Sequence, residues 1–166
     1  MALSVLLAST ACAGTVTQPP QSQSLRDVDR LQIAELSDRF GDAVNRHDWE
    51  TMASMFTEDA AWEAAAAELG FRHKGRAAIR KFLVENPNGV EILAYQTTAP
   101  FIERLSAHRA KTRLAMTEYL RIKATGETKR IVGIYSDELV KRDGRWQFAH
   151  RSFVLQAVFD EQPASL

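Results

Sequence analysis

Two strand-like runs meeting at Asp143-Gly144 constrain this chain more than any other stretch of it. Asp-Gly suits the positive φ angles that a two-residue hairpin turn demands. Side chains alternate between faces along a strand, so Ile131–Gln156 can be sorted by parity. Before the turn, Val132, Ile134, Ser136, Glu138 and Val140 share a face. After it, Trp146, Phe148 and His150 point one way, and Arg145, Gln147, Ala149 and Arg151 the other. Both runs are long enough to form a central antiparallel hairpin of a curved sheet. On this reading His150 is either a structural histidine of a core strand or a residue of the concave face, looking into a pocket.

Upstream the pattern is helical. Leu31, Ala34, Leu36, Phe40, Ala43, Val44 and His47 recur near helical spacing, with Asp27 or Asp29 available as a cap. Gly41 weakens that helix or marks close packing on another element. Asp48 is a good cap for a second, short helix that buries Trp49, Met52, Met55 and Phe56. Thr57-Glu58-Asp59 reads as a turn, Ala60–Glu63 with Trp62 as a short strand, and Ala64–Ala67 as helix or loop. A loop through Phe71–Lys74 closes at Gly75 and leads to a third helix with Ile79, Phe82 and Leu83 inward. Asn86-Pro87-Asn88-Gly89 ends it. Strands come next: Ile92–Ile102, interrupted by Pro100, and then Ala107–Ala124. On the second of these, Ala110, Thr112, Leu114, Met116, Leu120 and Ile122 share a face with Glu118, and Tyr119 lies opposite. Helices followed by an antiparallel meander give an α+β fold: three N-terminal helices packed on one side of a strongly curved, mainly antiparallel sheet.

With 166 residues, 21 Lys plus Arg and 21 Asp plus Glu, the chain has no cationic surplus to neutralise phosphates, and nucleic acid is not an expected partner. The single cysteine, Cys12, excludes an intrachain disulfide and a multi-cysteine zinc site. Residues 1–24 read as a signal-like segment and a flexible linker, with the folded domain over 25–166. Ser9-Thr10-Ala11-Cys12 resembles a lipobox, which makes Cys12 the one expected membrane tether, while Ala11-Cys12-Ala13 fits ordinary signal cleavage. No Lys or Arg precedes the apolar run, so export to the periplasm or to a lipid anchor stands against a cytoplasmic chain with an uncleaved tail.

The segments LSDRFGDAVNRHDWETMASMFTEDAAW, GRAAIRKFL and GIYSDELVKRDGRWQFAHR resemble the SnoaL-like branch of the NTF2-like superfamily across Leu25–Gln156. That resemblance implies the cone-shaped α+β barrel, a homodimer, and a cofactor-free dehydratase, isomerase or cyclase, or a plain binding domain. Family enzymes commonly carry a Tyr and an Asp on the first helix, where Phe40 and Asn45 stand, and a His on the first long strand, near Tyr95 or Gln96. Asn45 cannot take a proton at neutral pH, so the family's carboxylate–histidine pair does not carry over.

The remaining candidates for chemistry are His150 as acid or base, with Asn45 and Tyr95 orienting a substrate. Phe40, Trp62, Gln96, Glu118, Trp146 and Phe148 are the expected binding residues. Burial would raise the Glu118 pKa and make it a usable base; the alternative is an ion pair with a nearby Arg or Lys. Tyr95 and Tyr119 can donate to a carbonyl, Asp42 falls off the helix's apolar stripe, and His73 reads as part of a solvated loop. His47, His73 and His108 are too scattered for a metal set. Two readings remain: an enzyme acting without cofactor or metal on a small apolar, carbonyl-bearing molecule, or an exported ligand-binding domain that has lost the family's catalytic set.

Overall fold

A computed structural model describes residues 21–64, 70–85 and 89–161. The export-type segment with Cys12, Ala65–Ala67 and Asn86-Pro87-Asn88 lie outside the described residues. The helices α1 (Gln21–Asn45) and α2 (Trp49–Ser54) come first. Strands β1 (Phe56–Ala64) and β2 (Phe71–Lys74), helix α3 (Arg76–Glu85) and strands β3 (Val90–Thr97) and β4 (Phe101–Leu105) come after them. The meander β5 (Arg109–Ile122), β6 (Thr128–Arg142) and β7 (Arg145–Glu161) completes the chain. The sheet order is β2-β1-β7-β6-β5-β3, with β4 on the other part of β5. Among the described residues all pairings are antiparallel except β1 with β7. This is the expected α+β architecture, a curved sheet that does not close, with helices over its concave side.

Several local expectations differ: the single strand Ile92–Ile102 falls in two, β3 and β4, and Phe56 opens β1 rather than belonging to the second helix. Helix α1 begins at Gln21, inside the stretch read as linker, so Asp27 and Asp29 lie within it and cap nothing. Asp29 instead accepts from Lys141 Nζ (2.6 Å) and Trp146 Nε1 (3.0 Å), tying the helix to the β6–β7 hairpin. Thr57-Glu58-Asp59 and Phe71–Lys74 are strand rather than turn and loop: β2 pairs with Ala61–Ala64, and Thr57-Glu58-Asp59 is the irregular stretch of β1 between Phe56 and Ala61, which both pair with β7. Such pairing is decided by residues distant in the chain, and local turn propensity yields to it.

The end of α1 sets the direction in which the chain enters α2. His47 sits at φ 55°, the Asp48 N–H donates to the Ala43 carbonyl (2.8 Å), and the His47 N–H donates to Val44 (3.0 Å). These two reverse bonds are a Schellman ending, with histidine where glycine is usual. Asp48 then caps α2 as expected, accepting from the Thr51 N–H at 3.0 Å. At the hairpin, Asp143 (φ 50°) and Gly144 (φ 75°) have the left-handed backbone that the sequence requires.

Parity holds on β5, whose buried face is the expected Ala110, Thr112, Leu114, Met116 and Leu120. On β6 the residues Val132, Ile134, Ser136 and Glu138 do share a face, and it is the outer one; Ile131, Gly133, Tyr135, Asp137 and Leu139 are buried. On β7 parity breaks. Leu139 pairs with Phe148 but Glu138 pairs with His150, so Ala149 is an extra residue in a bulge. One extra residue exchanges the two faces of everything beyond it. Trp146 and Phe148 are therefore buried, and after them Arg151 and Phe153 rather than His150. A second irregularity skips Leu93 in β3, since Ile92 faces Leu120 while Ala94 faces Tyr119; it turns Tyr95 inward, directly opposite Glu118. Where Gly133 passes beneath Phe153, a Cβ would meet the ring at 2.3 Å, so only glycine lets that ring lie against the sheet.

Candidate functional site

The inner face of the sheet and the helices enclose a cavity of about 470 Å³. Its wall is chiefly aromatic and aliphatic, with Phe40, Trp62, Phe71, Tyr95, Tyr135 and Phe153 among its rings. Within that apolar wall stands Glu118, flanked along its own strand by Met116 and Leu120 and across it by Tyr95 and Ile131. Glu118 is half-buried because it borders the cavity, but protein encloses its carboxyl and burial raises its pKa to about 7. Among the described residues it has no ion pair and no hydrogen bond; the Arg or Lys partner expected as one alternative is absent. The other acid of the lining, Glu91, is held by Arg121 at 3.1 Å.

Tyr95 faces Glu118 across the ladder, and its buried hydroxyl has no hydrogen-bond partner among the described residues. Burial raises its pKa well above the ordinary value, with the Arg151 charge opposing. Two features hold it in place. Asn45 at the end of α1 donates from Nδ2 to the Tyr95 carbonyl (2.9 Å) and accepts from the Tyr95 N–H (2.7 Å). The Tyr95 ring passes Gly41 at 3.7 Å from where a Cβ would stand, which is the close packing that glycine suggested. Burial likewise raises the pKa of Tyr135, against the Arg151 charge.

Behind this wall lies Arg151, 1% exposed, with its guanidinium over the rings of Tyr135 (3.9 Å), Phe40 (4.0 Å) and Phe148 (4.5 Å). Its Nε is 3.2 Å from Asp137 Oδ1, an ion-pair distance, though the angles fall outside hydrogen-bond geometry. Burial raises the Asp137 pKa to about 6, with Arg151 pulling the other way. The pair braces the aromatic wall by charge–ring contacts.

Four of the expected site residues, Phe40, Trp62, Tyr95 and Glu118, do line the cavity. The others do not. His150, turned by the Ala149 bulge, bonds Glu63 Oε1 at 3.0 Å, away from the lining. Asn45 spends both ends of its amide on the Tyr95 backbone. Gln96 follows Tyr95 and is exposed on the other face. Trp146 is engaged by Asp29, and Phe148 is buried against Phe40 (5.5 Å) and Phe56 (5.3 Å). Tyr119 lies outside the lining, opposite Glu118 in parity. His73 is in β2, stacked on Phe82 (4.3 Å) with Nε2 buried, not in a solvated loop. Alternation on β6 would have found Tyr135; His47 lines the cavity too, with Nε2 at 2.9 Å from the Ile92 carbonyl. Among the described residues no group of three His, Cys, Asp or Glu is arranged to hold a metal ion.

A carboxyl with a pKa near 7 is available both as acid and as base at neutral pH, and the hydroxyl of the tyrosine across the ladder from it can donate to an oxygen that gains charge. The comparisons agree with the fold. A family model described as SnoaL-like domain matches residues 27–152. A hexachlorocyclohexane dehydrochlorinase (LinA) type 2 is 18% identical, with a TM-score of 0.75 over 87% of this chain and 99% of that one. A Novosphingobium aromaticivorans protein provisionally described as a scytalone dehydratase is 22% identical, with a TM-score of 0.72 over 85% and 93%. A single-residue variant of Rv3472 from Mycobacterium tuberculosis, a protein of unknown function, is 28% identical, with a TM-score of 0.64 over 89% and 79%. No curated protein matches the chain at a significant level.

Proposed function

The chain belongs to the SnoaL-like domain family, and on that premise we propose that its cavity binds a small, mainly apolar carbonyl compound and moves a proton on it without a cofactor. The observation that carries this is Glu118, an ionisable group unpaired among the described residues in an apolar cavity, across the ladder from Tyr95, whose hydroxyl is likewise without a partner there. In the proposed step the Glu118 carboxylate removes a proton α to the carbonyl. The electron pair moves onto the carbonyl oxygen, which accepts a hydrogen bond from Tyr95 Oη. Where the carbonyl is β,γ-unsaturated, the dienolate takes the proton back from Glu118 at the γ-carbon, which is isomerisation; where it carries a β-hydroxyl, the enolate expels that group as water with the Glu118 proton, which is dehydration. A positioned general base contributes about 10²- to 10⁴-fold, and a donor aimed at the developing oxyanion about 10²- to 10³-fold.

The test is deuterium exchange at the α-carbon of cyclic ketones in D₂O, followed by NMR. Glu118→Gln should abolish catalysed exchange and Tyr95→Phe should slow it; undiminished exchange in Glu118→Gln would sink the assignment. A second reading, a binding domain without turnover, draws on the structural use of Asn45 and on Phe40 at the family's tyrosine position. It expects ketone binding with no exchange in any variant. Export with lipidation at Cys12 is a separate proposal, tested by palmitate labelling of the full chain against Cys12→Ser.

A further inference from the structure

Away from Tyr95 and Glu118 the cavity wall holds another polar group without a partner among the described residues. Trp62 on β1 is 6% exposed and lines the cavity, and among the described residues its indole N–H has no acceptor in hydrogen-bond geometry. The Tyr135 hydroxyl lies close to it without meeting hydrogen-bond geometry. An indole N–H can only donate, and buried ones ordinarily find an acceptor. The ring is fixed where it is, edge-on to Phe71 (4.9 Å) and Phe82 (6.0 Å) and against Phe56 (5.9 Å). Strand β1 is separated from β3 by β7, β6 and β5, so Trp62 and Tyr95 stand at opposite ends of the curved inner face.

The charges of the lining set the kind of molecule that fits between them. Glu118 disfavours an anion at the inner wall, and the basic groups of the lining, His47 and Lys123, are both exposed. We propose that the Trp62 indole N–H is a second recognition point, and that the ligand is an uncharged ring compound with two hydrogen-bond acceptors, one for Tyr95 and one for Trp62. This rests on the reading of the cavity as the ligand site. A one-carbonyl molecule of the same shape leaves Trp62 unpaired in the complex, and a two-carbonyl molecule satisfies it. A buried donor left without its acceptor is what gives hydrogen-bonding sites their discrimination.

Calorimetric titration with 1-decalone, decalin-1,5-dione and decalin-1,6-dione tests it, using the full chain and Trp62→Phe. At least one dione should bind the wild type about 3- to 10-fold more tightly than 1-decalone, a gain of one net hydrogen bond. Trp62→Phe should bring the ratio of dione to 1-decalone affinity to about one, whatever it does to 1-decalone itself. If both diones bind the wild type more weakly than 1-decalone, or if Trp62→Phe weakens all three alike, Trp62 is an apolar wall and the inference fails. The wild-type comparison decides this even where the variant does not fold. Failure of 1-decalone and both diones to bind the wild type overturns the ligand cavity itself and this inference with it.

Discussion

Replacing Glu118 by Gln should flatten the pH dependence of stability between about pH 4.5 and pH 8. Burial raises the Glu118 pKa from its ordinary 4.5 to about 7 in the folded protein. The folded state therefore holds this proton more tightly than the unfolded chain. Its contribution to stability is full below the unfolded value and is lost as pH rises through 7. The distance between those values corresponds to about 3 kcal/mol, an upper figure because water entering the cavity shields the carboxylate. Asp137, raised to about 6, acts with the same sign, but it is present in both proteins and cancels in the difference. Urea unfolding of wild type and Glu118→Gln across that range gives the quantity directly. The stability of the wild type minus that of the variant should fall by about 2–3 kcal/mol as pH rises, a relative midpoint change of about 1–2 M urea. A flat difference refutes the desolvated carboxyl. A difference that grows with pH means that a cation or donor stabilises the carboxylate, and the base assignment fails with it. If Glu118 is the base, catalysed exchange should rise through about pH 7 while stability falls.

Arg151→Met strands Asp137 in the interior and should destabilise by about 3–5 kcal/mol; Arg151→Met with Asp137→Leu should recover much of this in thermal or urea unfolding. Gly133→Ala drives a Cβ to 2.3 Å from Phe153 and should destabilise by about 1–3 kcal/mol or more. Gly41→Ala meets only ordinary contact at 3.7 Å and should be stabilising by up to about 1 kcal/mol, since alanine is the better helix former. His150→Ala should leave ketone exchange unchanged and move stability by less than about 1 kcal/mol, because its partner is the half-exposed Glu63; a large loss of exchange returns it to the site. Pairing of two chains through their sheets predicts a light-scattering mass of twice 18.6 kDa for the full chain, and a monomer at micromolar concentration refutes it.

The architecture is legible in the sequence because its signals are local. The Asp143-Gly144 turn, the Asp48 cap and the alternation along β5 all act within a few residues, and each is found where the sequence puts it. Glu118 comes from the same alternation. The differences cluster where a distant partner decides. The bulge at Ala149 has no side-chain signature, yet it exchanges His150 for Arg151 and sends the parity argument for the rest of β7 to the wrong face. Leu93 does the same for Tyr95, in the opposite sense. Asn45 draws a chemical reading because family enzymes carry a carboxylate there, whereas its amide complements a peptide group of another element. Lone polar residues in a sequence do not announce whether their partner is a ligand or the backbone.

The parallel pairing of β1 with β7 has a consequence for assembly of the chain. Strands β5, β6 and β7 are joined by short turns and can pair as a local meander, whereas β1 must bring Ala61 beside His150 from far up the chain. Contacts of long sequence separation incur their loop-closure entropy before they are rewarded, and contact-order reasoning places them late in folding. The wall that carries Trp62 then arrives after the wall that carries Tyr135 and Glu118. Fluorescence from Trp62 would report closure of the cavity in refolding kinetics, as a phase slower than acquisition of the sheet, with Trp49 and Trp146 replaced by Phe to isolate it.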